Sequence, residues 1–326
     1  MTVAREMAVR PLVVVALATT LALVAGSPTA SAPAGAGRWE TRAPMLTERT
    51  EVAGALAGGK IYIVGGFVPA GVTGALEEYD AAANVWRART SLPIAVHHAA
   101  MVAVGTRLFV LGGFMATGTP VNAVWEYDPA ADQWTARTPI GITRGALAAV
   151  AFGDRIFVFS GTSPDRGDTP ITEEYDPAAN AWRRRAPIPT PRNHHAAAVV
   201  GAKIYTFVGR TPGRGNVNVT EIYDPATDAW TAGAPILTAR SGIAAAVVAG
   251  RVYVFGGELG RPGTYPENEM YDPATNAWSV RAPMPTPRHG LVAVPVGDRI
   301  YVISGGPRPG LAFSSANEVF IPEEGR

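Results

Sequence analysis

Short apolar segments separated by polar turns run along almost the entire chain. Two examples are IYIVGG (61–66) and VYVFGG (252–257), in which β-branched and aromatic residues end in a pair of glycines. Such segments favour strands. After the first 25 residues, no window repeats apolar residues at the i, i+3, i+4 spacing of a helix. The pattern therefore predicts an all-β protein.

The apolar segments recur with a period of about 48 residues. Six tryptophans, at positions 39, 86, 134, 182, 230 and 278, are spaced by 47 or 48 residues. The glycines at 66, 113, 161, 209, 257 and 306 are spaced by 47 to 49 residues. Each unit holds four short strand segments, which is typical of one blade of a β-propeller. Only Trp125 falls outside the tryptophan spacing, and we expect it to serve blade packing.

The stretch EYDPAADQW (126–134) occurs five times in edited form and reads as a hairpin turn between two outer strands. Asp128 can hydrogen-bond the backbone two residues on, the following proline presets φ, and Asp132 tolerates a left-handed conformation. Tyr127 and Trp134 would then pack on the faces of the sheet. The repetition thus predicts one such hairpin in each blade.

The sixth unit reaches Phe320 without a following tryptophan, and a matching strand lies near the other end of the chain. RWETRAPM (38–45) resembles AWRRRAPI (181–188), which is the outer strand of a blade. RWETRAPM therefore reads as an outer strand that precedes its own blade. We predict that the strand around Trp39 pairs beside Asn317–Ile321 and removes the open edge of the sheet. Six blades then form a single domain over residues 35–326.

The N-terminus predicts export. Arg5 and Arg10 precede the apolar run PLVVVALATTLALVAG (11–26) and a tract of small residues, so residues 1–34 read as a secretory signal peptide and leader. A single membrane anchor is the alternative, although the run is short for a bilayer. We expect a secreted or cell-envelope protein that has no membrane contact after cleavage.

Cysteine content and charge exclude several kinds of chemistry. The chain has no cysteine, so disulfides, a thiol nucleophile and thiolate metal ligands are all excluded. The net charge is +1, and the leader accounts for it through two arginines and one glutamate. The remaining chain is therefore near neutral, which favours neither nucleic acid nor an acidic membrane surface as a partner. We expect a monomer.

The Gly-Gly doublet, the tyrosine, the tryptophan seven residues later and PMPTPRHG (283–290) together resemble the kelch repeat. The resemblance covers residues 38–322, with departures at Ser160, Val208 and Phe320. It implies a six-bladed kelch-type β-propeller closed by the N-terminal strand. The superfamily includes galactose-oxidase-like copper enzymes, whose cofactor needs a cysteine that this chain lacks. No cofactor is predicted.

The resemblance places ligand binding on two sets of loops at one end of the central channel. We name them the approach loops, which lead into each innermost strand, and the doublet loops, which follow each glycine pair. Five of the six approach loops carry an arginine in the same register, whereas the second blade has Val96: Arg49, Arg144, Arg192, Arg240 and Arg288. These arginines either bind a ligand or hydrogen-bond loop carbonyls and neighbouring blades.

All five histidines of the chain fall just after this arginine register: His97, His98, His194, His195 and His289. Other copies hold small residues there, so the blade does not require imidazole. Strand alternation predicts that only one histidine of each adjacent pair faces the channel. With Asn193 and Glu51 they would form a polar floor, or else cap strand ends. Imidazoles suit Zn or Cu, but no carboxylate pattern or ligand spacing supports a metal, and none is predicted.

Two functions remain open. The first is an exported binding module whose loop face, including Arg210, takes a glycan, peptide or protein. The second is a sugar-modifying enzyme of the epimerase or mutarotase type, similar in plan to exported kelch propellers that isomerise sialic acid. In that case Glu258, Glu51 or His194 would transfer protons, and Arg192 or Arg210 would hold a substrate carboxylate.

Overall fold

The computed structural model describes residues 36–165 and 167–323. These residues form six four-stranded antiparallel sheets. Within them, no helix is long and apolar enough to cross a membrane. The predicted signal segment, residues 1–34, lies outside the described residues.

Every sheet has the same strand order from the inside outwards. The innermost strands are Ala53–Ala57, Ala100–Val104, Ala148–Phe152, Ala196–Val200, Ala244–Val248 and Val292–Val296. The second strands are Lys60–Val64, Arg107–Leu111, Arg155–Phe159, Lys203–Phe207, Arg251–Phe255 and Arg299–Ile303. The third strands are Leu76–Asp80, Val124–Asp128, Thr172–Asp176, Thr220–Asp224, Asn268–Asp272 and Asn317–Ile321. The outermost strands are Val85–Arg89, Gln133–Arg137, Ala181–Arg185, Ala229–Ala232, Ala277–Val280 and Arg38–Thr41.

Three doublet loops form two-stranded ribbons of their own: Phe67–Val68 with Gly71–Val72, Thr162–Ser163 with Gly167–Asp168, and Arg210–Thr211 with Gly215–Asn216. The innermost strands of the six sheets lie side by side around one axis, with Ala53–Ala57 next to both Ala100–Val104 and Val292–Val296. The all-β six-bladed propeller is therefore confirmed. At the end away from the approach and doublet loops, alanines and valines of the innermost strands line an apolar cavity of about 320 Å³.

The N-terminal strand closes the ring as predicted. It pairs antiparallel with the third strand of the sixth blade, in a register that sets Trp39 opposite Phe320. Their rings lie 5.1 Å apart, and Trp39 Nε1 donates to the carbonyl of Ala282 at 3.0 Å. In the other five blades a tyrosine takes the place of Phe320 opposite the tryptophan. Trp39 is thus the missing tryptophan of the sixth blade.

The repeated hairpin also joins each blade to the one before it. In the third blade, Asn180 has a φ of 50°, and its Oδ1 accepts hydrogen bonds from Tyr175 Oη (2.6 Å) and from the Thr138 N–H of the preceding loop (2.9 Å). Trp182 Nε1 donates to the carbonyl of the same Thr138 at 2.8 Å. Tyrosine, turn residue and tryptophan therefore act together, which explains why the stretch recurs almost unchanged.

The glycine spacing needs one correction. In the sixth blade, Ser304 and Gly305 occupy the two left-handed doublet positions, at φ of 63° and 99°. Gly306 instead bridges to His289, where the fifth blade has Glu258 opposite Ser241. The repeat position is therefore Gly305, at the regular spacing, and the extra residue lies in the doublet loop that follows.

The five repeated arginines lie inside the blades, fully buried at 0% exposure. Each forms an ion pair with a buried glutamate on the third strand of its own blade: Arg49 with Glu77, Arg144 with Glu173, Arg192 with Glu221, Arg240 with Glu269 and Arg288 with Glu318. No ligand on the loop face can reach these guanidinium groups. The prediction that they bind a ligand is wrong, and so is the proposed substrate contact of Arg192.

These arginines hold the loops through backbone carbonyls. Arg49 Nη1 donates to Gly65 O (3.1 Å) and Ala75 O (2.9 Å), which are the two ends of the first doublet loop. Arg144 makes the equivalent bonds in the third blade. Burial lowers the pKa of Arg144 to about 10, against the opposing charge of Glu173. The Arg144 guanidinium still carries its charge at neutral pH, and we call each buried Arg–Glu pair a clamp inside its blade.

The second blade replaces both members of this clamp at once. Val96 stands where the arginine would be, and Trp125 occupies the third-strand position that Glu77 occupies in the first blade, opposite the second strand. Val96 and Trp125 pack in one apolar cluster. Trp125 therefore lies in the repeat register, as the apolar counterpart of the glutamate, and it does pack the blade as expected.

Replacing the Val96–Trp125 pair by an Arg–Glu pair tests whether the two positions of each blade act together. Val96→Arg alone should lower the free energy of unfolding by about 3–5 kcal/mol, because it buries a guanidinium that has no carboxylate partner. Adding Trp125→Glu should recover part of that loss, with a coupling of about 2–3 kcal/mol. Urea unfolding of the wild type, both single variants and the double variant measures the coupling.

The reverse exchange in the fifth blade, Arg240→Val with Glu269→Trp, is the matched control and should show coupling of the same sign. Strictly additive effects in both blades would contradict the pairing.

Candidate functional site

A closed ring of six backbone hydrogen bonds surrounds the channel at the loop end. Each approach loop contributes one residue, and the N–H of that residue donates to the carbonyl of its counterpart in the preceding blade at 2.8–3.1 Å. All six have a left-handed φ between 52° and 68°. We call them the axial ring: Glu51, His98, Ala146, His194, Gly242 and Gly290.

The left-handed backbone makes glycine the least strained choice in the axial ring. Two blades follow that rule with Gly242 and Gly290. The other four place Glu51, His98, Ala146 and His194 there, and a non-glycine residue in this region costs about 1–3 kcal/mol. Three of these four are polar side chains that the glycine blades do without, which marks the axial ring as a candidate functional site.

The residue before each axial-ring position bridges to the first residue of the neighbouring doublet loop. Asn193 bridges to Arg210, and Ser241 bridges to Glu258. Since the axial ring follows directly in the sequence, these bridges bring side chains of the doublet loops to the channel mouth. Arg210 and Glu258, both candidate site residues from the sequence, reach the channel mouth in this way.

Glu51 and His98 meet across the first and second blades. His98 Nε2 lies 3.1 Å from Glu51 Oε2, and His98 Nδ1 lies 2.5 Å from His97 Nδ1. His97 is stacked on Phe67 at 3.9 Å and faces Phe114 on its other side at 5.5 Å. His97 therefore supports His98 from behind, whereas His98 faces the channel.

His289 bridges two carboxylates at the sixth blade. Its Nδ1 lies 3.2 Å from Glu51 Oε1 and 3.6 Å from Glu258 Oε2. Its Nε2 faces the carbonyls of Arg308 (3.1 Å) and Gly310 (3.0 Å). Both ring nitrogens thus face acceptors, which suits the protonated imidazolium.

Arg210 links the fourth and fifth blades. Its guanidinium donates to Glu258 Oε1 at 2.9 Å and to Asn193 Oδ1 at 3.2 Å, and its Nη2 lies 2.9 Å from His194 Nε2. Asn193 is held in turn by Asp168, through bonds of 2.8 and 2.9 Å from its amide nitrogen. His194 Nδ1 lies 2.5 Å from Asn193 Oδ1. The contacts run unbroken from Asp168 to His97 and include side chains from all six blades.

The charges follow from these contacts. Burial alone would raise the pKa of Glu51, but His98, His289 and His194 outweigh it and hold this pKa well below its usual range. Burial lowers the pKa of His289, but Glu51 and Glu258 outweigh that effect and raise it. The pKa values of His98 and His194 are lowered, chiefly by burial. The mouth therefore favours the ionised form of Glu51 and the protonated form of His289, and it disfavours the protonated forms of His98 and His194.

Below the axial ring lies a cavity of about 130 Å³. The axial ring lines it together with the next residue of each blade: Val52, Ala99, Leu147, His195, Ile243 and Leu291. His195 is the one polar member of this second layer, is 6% exposed, and has no hydrogen-bond partner on either ring nitrogen. His194 and His195 both line the cavity, so the alternation prediction is wrong for this pair. The left-handed φ of His194 breaks the alternation.

The sequence named most of the side chains that the structure brings together here: Glu51, His97, His98, Asn193, His194, Arg210, Glu258 and His289. It missed the backbone ring, the aromatic support of His97 and the exposure of His195 to the cavity. The third-strand glutamates that bury the arginines were also missed. A signal for them was present, because only the blade without the arginine lacks the glutamate.

Fold and site define a six-bladed propeller with a polar mouth, and comparisons with known proteins identify the family. The KLHDC2/KLHL20/DRC7 Kelch-repeats domain matches residues 138–306, and two Kelch motif families match residues 95–139 and 49–93. The chain belongs to the kelch-repeat family.

Known proteins also resemble the chain individually. Kelch-like protein 40 of Xenopus tropicalis and that of Xenopus laevis are each 30% identical to it over 95 residues, which is 27% of this chain. The matched part covers 16% of the length of either relative. The solved structure of YjhT aligns with a TM-score of 0.76 at 16% identity, over 86% of this chain and 97% of that one. At this identity, the similarity to YjhT shows a shared fold and nothing more.

His195→Leu should stabilise the protein. Leucine already fills this layer at Leu147 and Leu291, and the change removes two buried ring nitrogens without partners, which should add about 1–3 kcal/mol to the free energy of unfolding. Burial, together with Arg192 and Arg144, lowers the pKa of His195 well below 6.5. The unfolded chain therefore takes up a proton below about pH 6.5 that the folded chain does not.

The gain from His195→Leu, measured as the shift of Tm, should consequently be larger at pH 5 than at pH 8. Ile243→Leu, in the same layer but without a titrating group, is the control and should change Tm little and equally at both pH values. A loss of stability at pH 8 would show that His195 makes favourable contacts in solution.

Proposed function

We propose that the protein is an exported binding module whose loop face takes a protein or peptide partner. The proposal depends mainly on where exposed apolar side chains lie. Seven large apolar side chains are exposed in the described part of the chain, and five of them stand on approach or doublet loops: Leu46, Met115, Leu237, Leu259 and Leu311. Clustering of exposed apolar surface on one face is typical of a protein-interaction site.

Part of this face is continuous. In the doublet loop of the fifth blade, Thr264 Oγ1 donates to the carbonyl of Pro307 in the sixth at 3.1 Å. Asn216 of the fourth blade donates to the carbonyl of Leu259 at 2.9 Å. Leu259 (40% exposed) and Leu311 (69% exposed) therefore stand on loops that support one another. A partner would meet a preformed surface, which keeps the entropy cost of binding low.

Charge on the same loops indicates what the partner carries. Arg261 is paired with Glu267 and lies over the ring of Tyr265. Arg214 and Arg308 are exposed, and neither guanidinium has a carboxylate partner among the described residues. We infer a partner segment that combines apolar side chains with carboxylates, because arginine binds carboxylate in a planar, bidentate manner.

A peptide library displayed on phage tests the proposal. Selection on the wild type, with counter-selection on Leu259→Asp/Leu311→Asp, should enrich peptides with apolar and acidic residues. Their affinity, measured by calorimetry, should fall at least about tenfold for the double aspartate variant and for Arg308→Glu, because a charge then replaces a buried contact or reverses a pairing.

Val85→Asp is the matched control. Val85 is exposed at the start of an outermost strand, beside the hairpin turn at the end of the blade opposite the loop face, so this change should leave peptide affinity unaltered. Peptides that bind the loop-face variants as tightly as the wild type, or a selection without enrichment, would contradict the proposal.

A sugar-modifying enzyme is the second candidate, favoured by the contact of Glu258 and His289 at 3.6 Å. A carboxylate beside an imidazole, with Arg210 nearby, is an acid–base arrangement. The cavity of about 130 Å³, however, is smaller than the roughly 300–1,000 Å³ of usual small-molecule sites. A sugar would have to sit above the axial ring, which makes the binding module the better-supported function.

Proton NMR spectra of neutral and acidic sugars, followed for hours with the protein present, distinguish the two candidates. If the protein is an enzyme, new anomeric or epimer signals should grow and should vanish with Glu258→Gln or His194→Ala. Line broadening without new signals would indicate a glycan-binding module. Unchanged spectra are what the peptide- or protein-binding proposal predicts.

A further inference from the structure

We propose that Glu51, His98 and His194 form a binding site for a divalent transition-metal ion, of the Zn²⁺ class, at the mouth of the channel. Ligand-type atoms of these three side chains lie within 4.8 Å of one another. Two imidazoles and one carboxylate are a ligand set used for Zn²⁺ and for non-haem Fe²⁺. The site adjoins the apolar loop surface to which a protein partner would bind, because Leu259 follows Glu258 and Leu311 follows Gly310, whose N–H donates to Glu258 Oε2.

The distances are close to those that a metal requires. Tetrahedral ligands at bond lengths of 2.0–2.2 Å stand about 3.3–3.6 Å apart. His98 Nε2 and Glu51 Oε2 are already 3.1 Å apart, so a metal would only need to part them slightly. The third ligand, His194, comes from the fourth blade, and its ligand-type atom lies within 4.8 Å of those of Glu51 and His98, so it must move closer by about 1 Å to reach the tetrahedral spacing.

The backbone supplies a second, independent argument. These three residues hold left-handed axial-ring positions, which the remaining blades fill with alanine or glycine. The ring of hydrogen bonds forms equally well with Gly242 and Gly290. Closure of the ring therefore does not require the polar side chains of Glu51, His98 and His194, and a shared ligand accounts for their presence at these positions.

Neighbouring side chains orient the two imidazoles as metal-binding histidines are usually oriented. His194 Nδ1 can donate to Asn193 Oδ1, which leaves Nε2, now in contact with Arg210, as the ligand atom. Asn193 cannot turn away, because Asp168 holds its amide nitrogen. His98 Nδ1 faces His97 Nδ1, and His97 is itself fixed between two phenylalanines.

His289 is excluded as a ligand although it also contacts Glu51. Its Nε2 is directed at two backbone carbonyls and its Nδ1 at two carboxylates, so a metal on either nitrogen would have to displace these contacts. The ligand set is thereby narrowed to Glu51, His98 and His194.

Arg210 competes with the metal. Its Nη2 occupies the lone pair of His194 Nε2 at 2.9 Å, and its charge repels a cation. The side chain is 26% exposed and keeps its bond to Glu258, so it can move aside without losing every partner. The proposal therefore predicts that removal of Arg210 strengthens metal binding, whereas removal of a ligand weakens it.

Calorimetric titration with Zn²⁺, and visible absorption with Co²⁺, test the site on the full chain freed of any polyhistidine tag. The wild type should bind one ion per chain. His98→Gly, His194→Gly and Glu51→Gln should each lower the affinity at least about 100-fold, and Asn193→Ala about 10–100-fold. Arg210→Met should raise it about tenfold, because a neighbouring positive charge is removed.

The glycine substitutions are chosen because the chain itself uses glycine in the axial ring. In metal-free protein, His98→Gly and His194→Gly should keep or raise Tm, so that lost binding cannot be ascribed to unfolding. Asp154→Asn, an exposed carboxylate in a turn at the opposite end of the blade, is the control and should bind like the wild type.

Three outcomes would overturn the proposal: no Zn²⁺ or Co²⁺ binding by the wild type, binding that survives all three ligand substitutions, or weaker binding in Arg210→Met. The readout is metal affinity and the Co²⁺ spectrum. The test of the metal site is therefore independent of whether the loop face binds peptides.

Discussion

The propeller depends on a closed ring of six backbone hydrogen bonds around the channel. Each blade must place one residue in a left-handed conformation so that its N–H reaches back to the preceding blade and its carbonyl faces the next. That requirement fixes where the approach loops turn and where the innermost strands begin. It also directs the side chains of Glu51, His98 and His194 towards one another, so the bonds that close the fold also assemble the polar mouth.

The fold was largely predictable because the structural repeat of the blades is also a repeat in the amino-acid sequence. Tryptophan, tyrosine and the turn Asn or Asp recur at about 48 residues, since each of them contacts the preceding blade as well as its own. The closing strand was predictable for the same reason, because Trp39 preserves the spacing. The sixth repeat glycine was assigned wrongly as Gly306. Gly305 and Gly306 are adjacent, and an inserted residue in the following loop makes the spacing alone unable to choose between them.

The positions of the site residues within the repeat were predictable, but the directions in which their side chains face were not. The sequence places the arginines and histidines on the approach loops, but which way a side chain faces depends on φ and on partners elsewhere in the blade. Arg49 lies within the blade because Glu77 is there to receive it, and His195 faces the cavity because His194 is left-handed. The joint substitution of Val96 and Trp125 was the clue, since two positions that change together in one repeat usually touch.

Charge balance explains why the mouth draws on all six blades. The carboxylates of Glu51 and Glu258 face the Arg210 guanidinium and the His289 imidazole, and this pairing lowers the cost of burying their charges. An added cation would compete with these two groups for the carboxylates, and Arg210 is the more exposed of the two. The affinity of the mouth for a cation therefore depends on how easily Arg210 moves away from it.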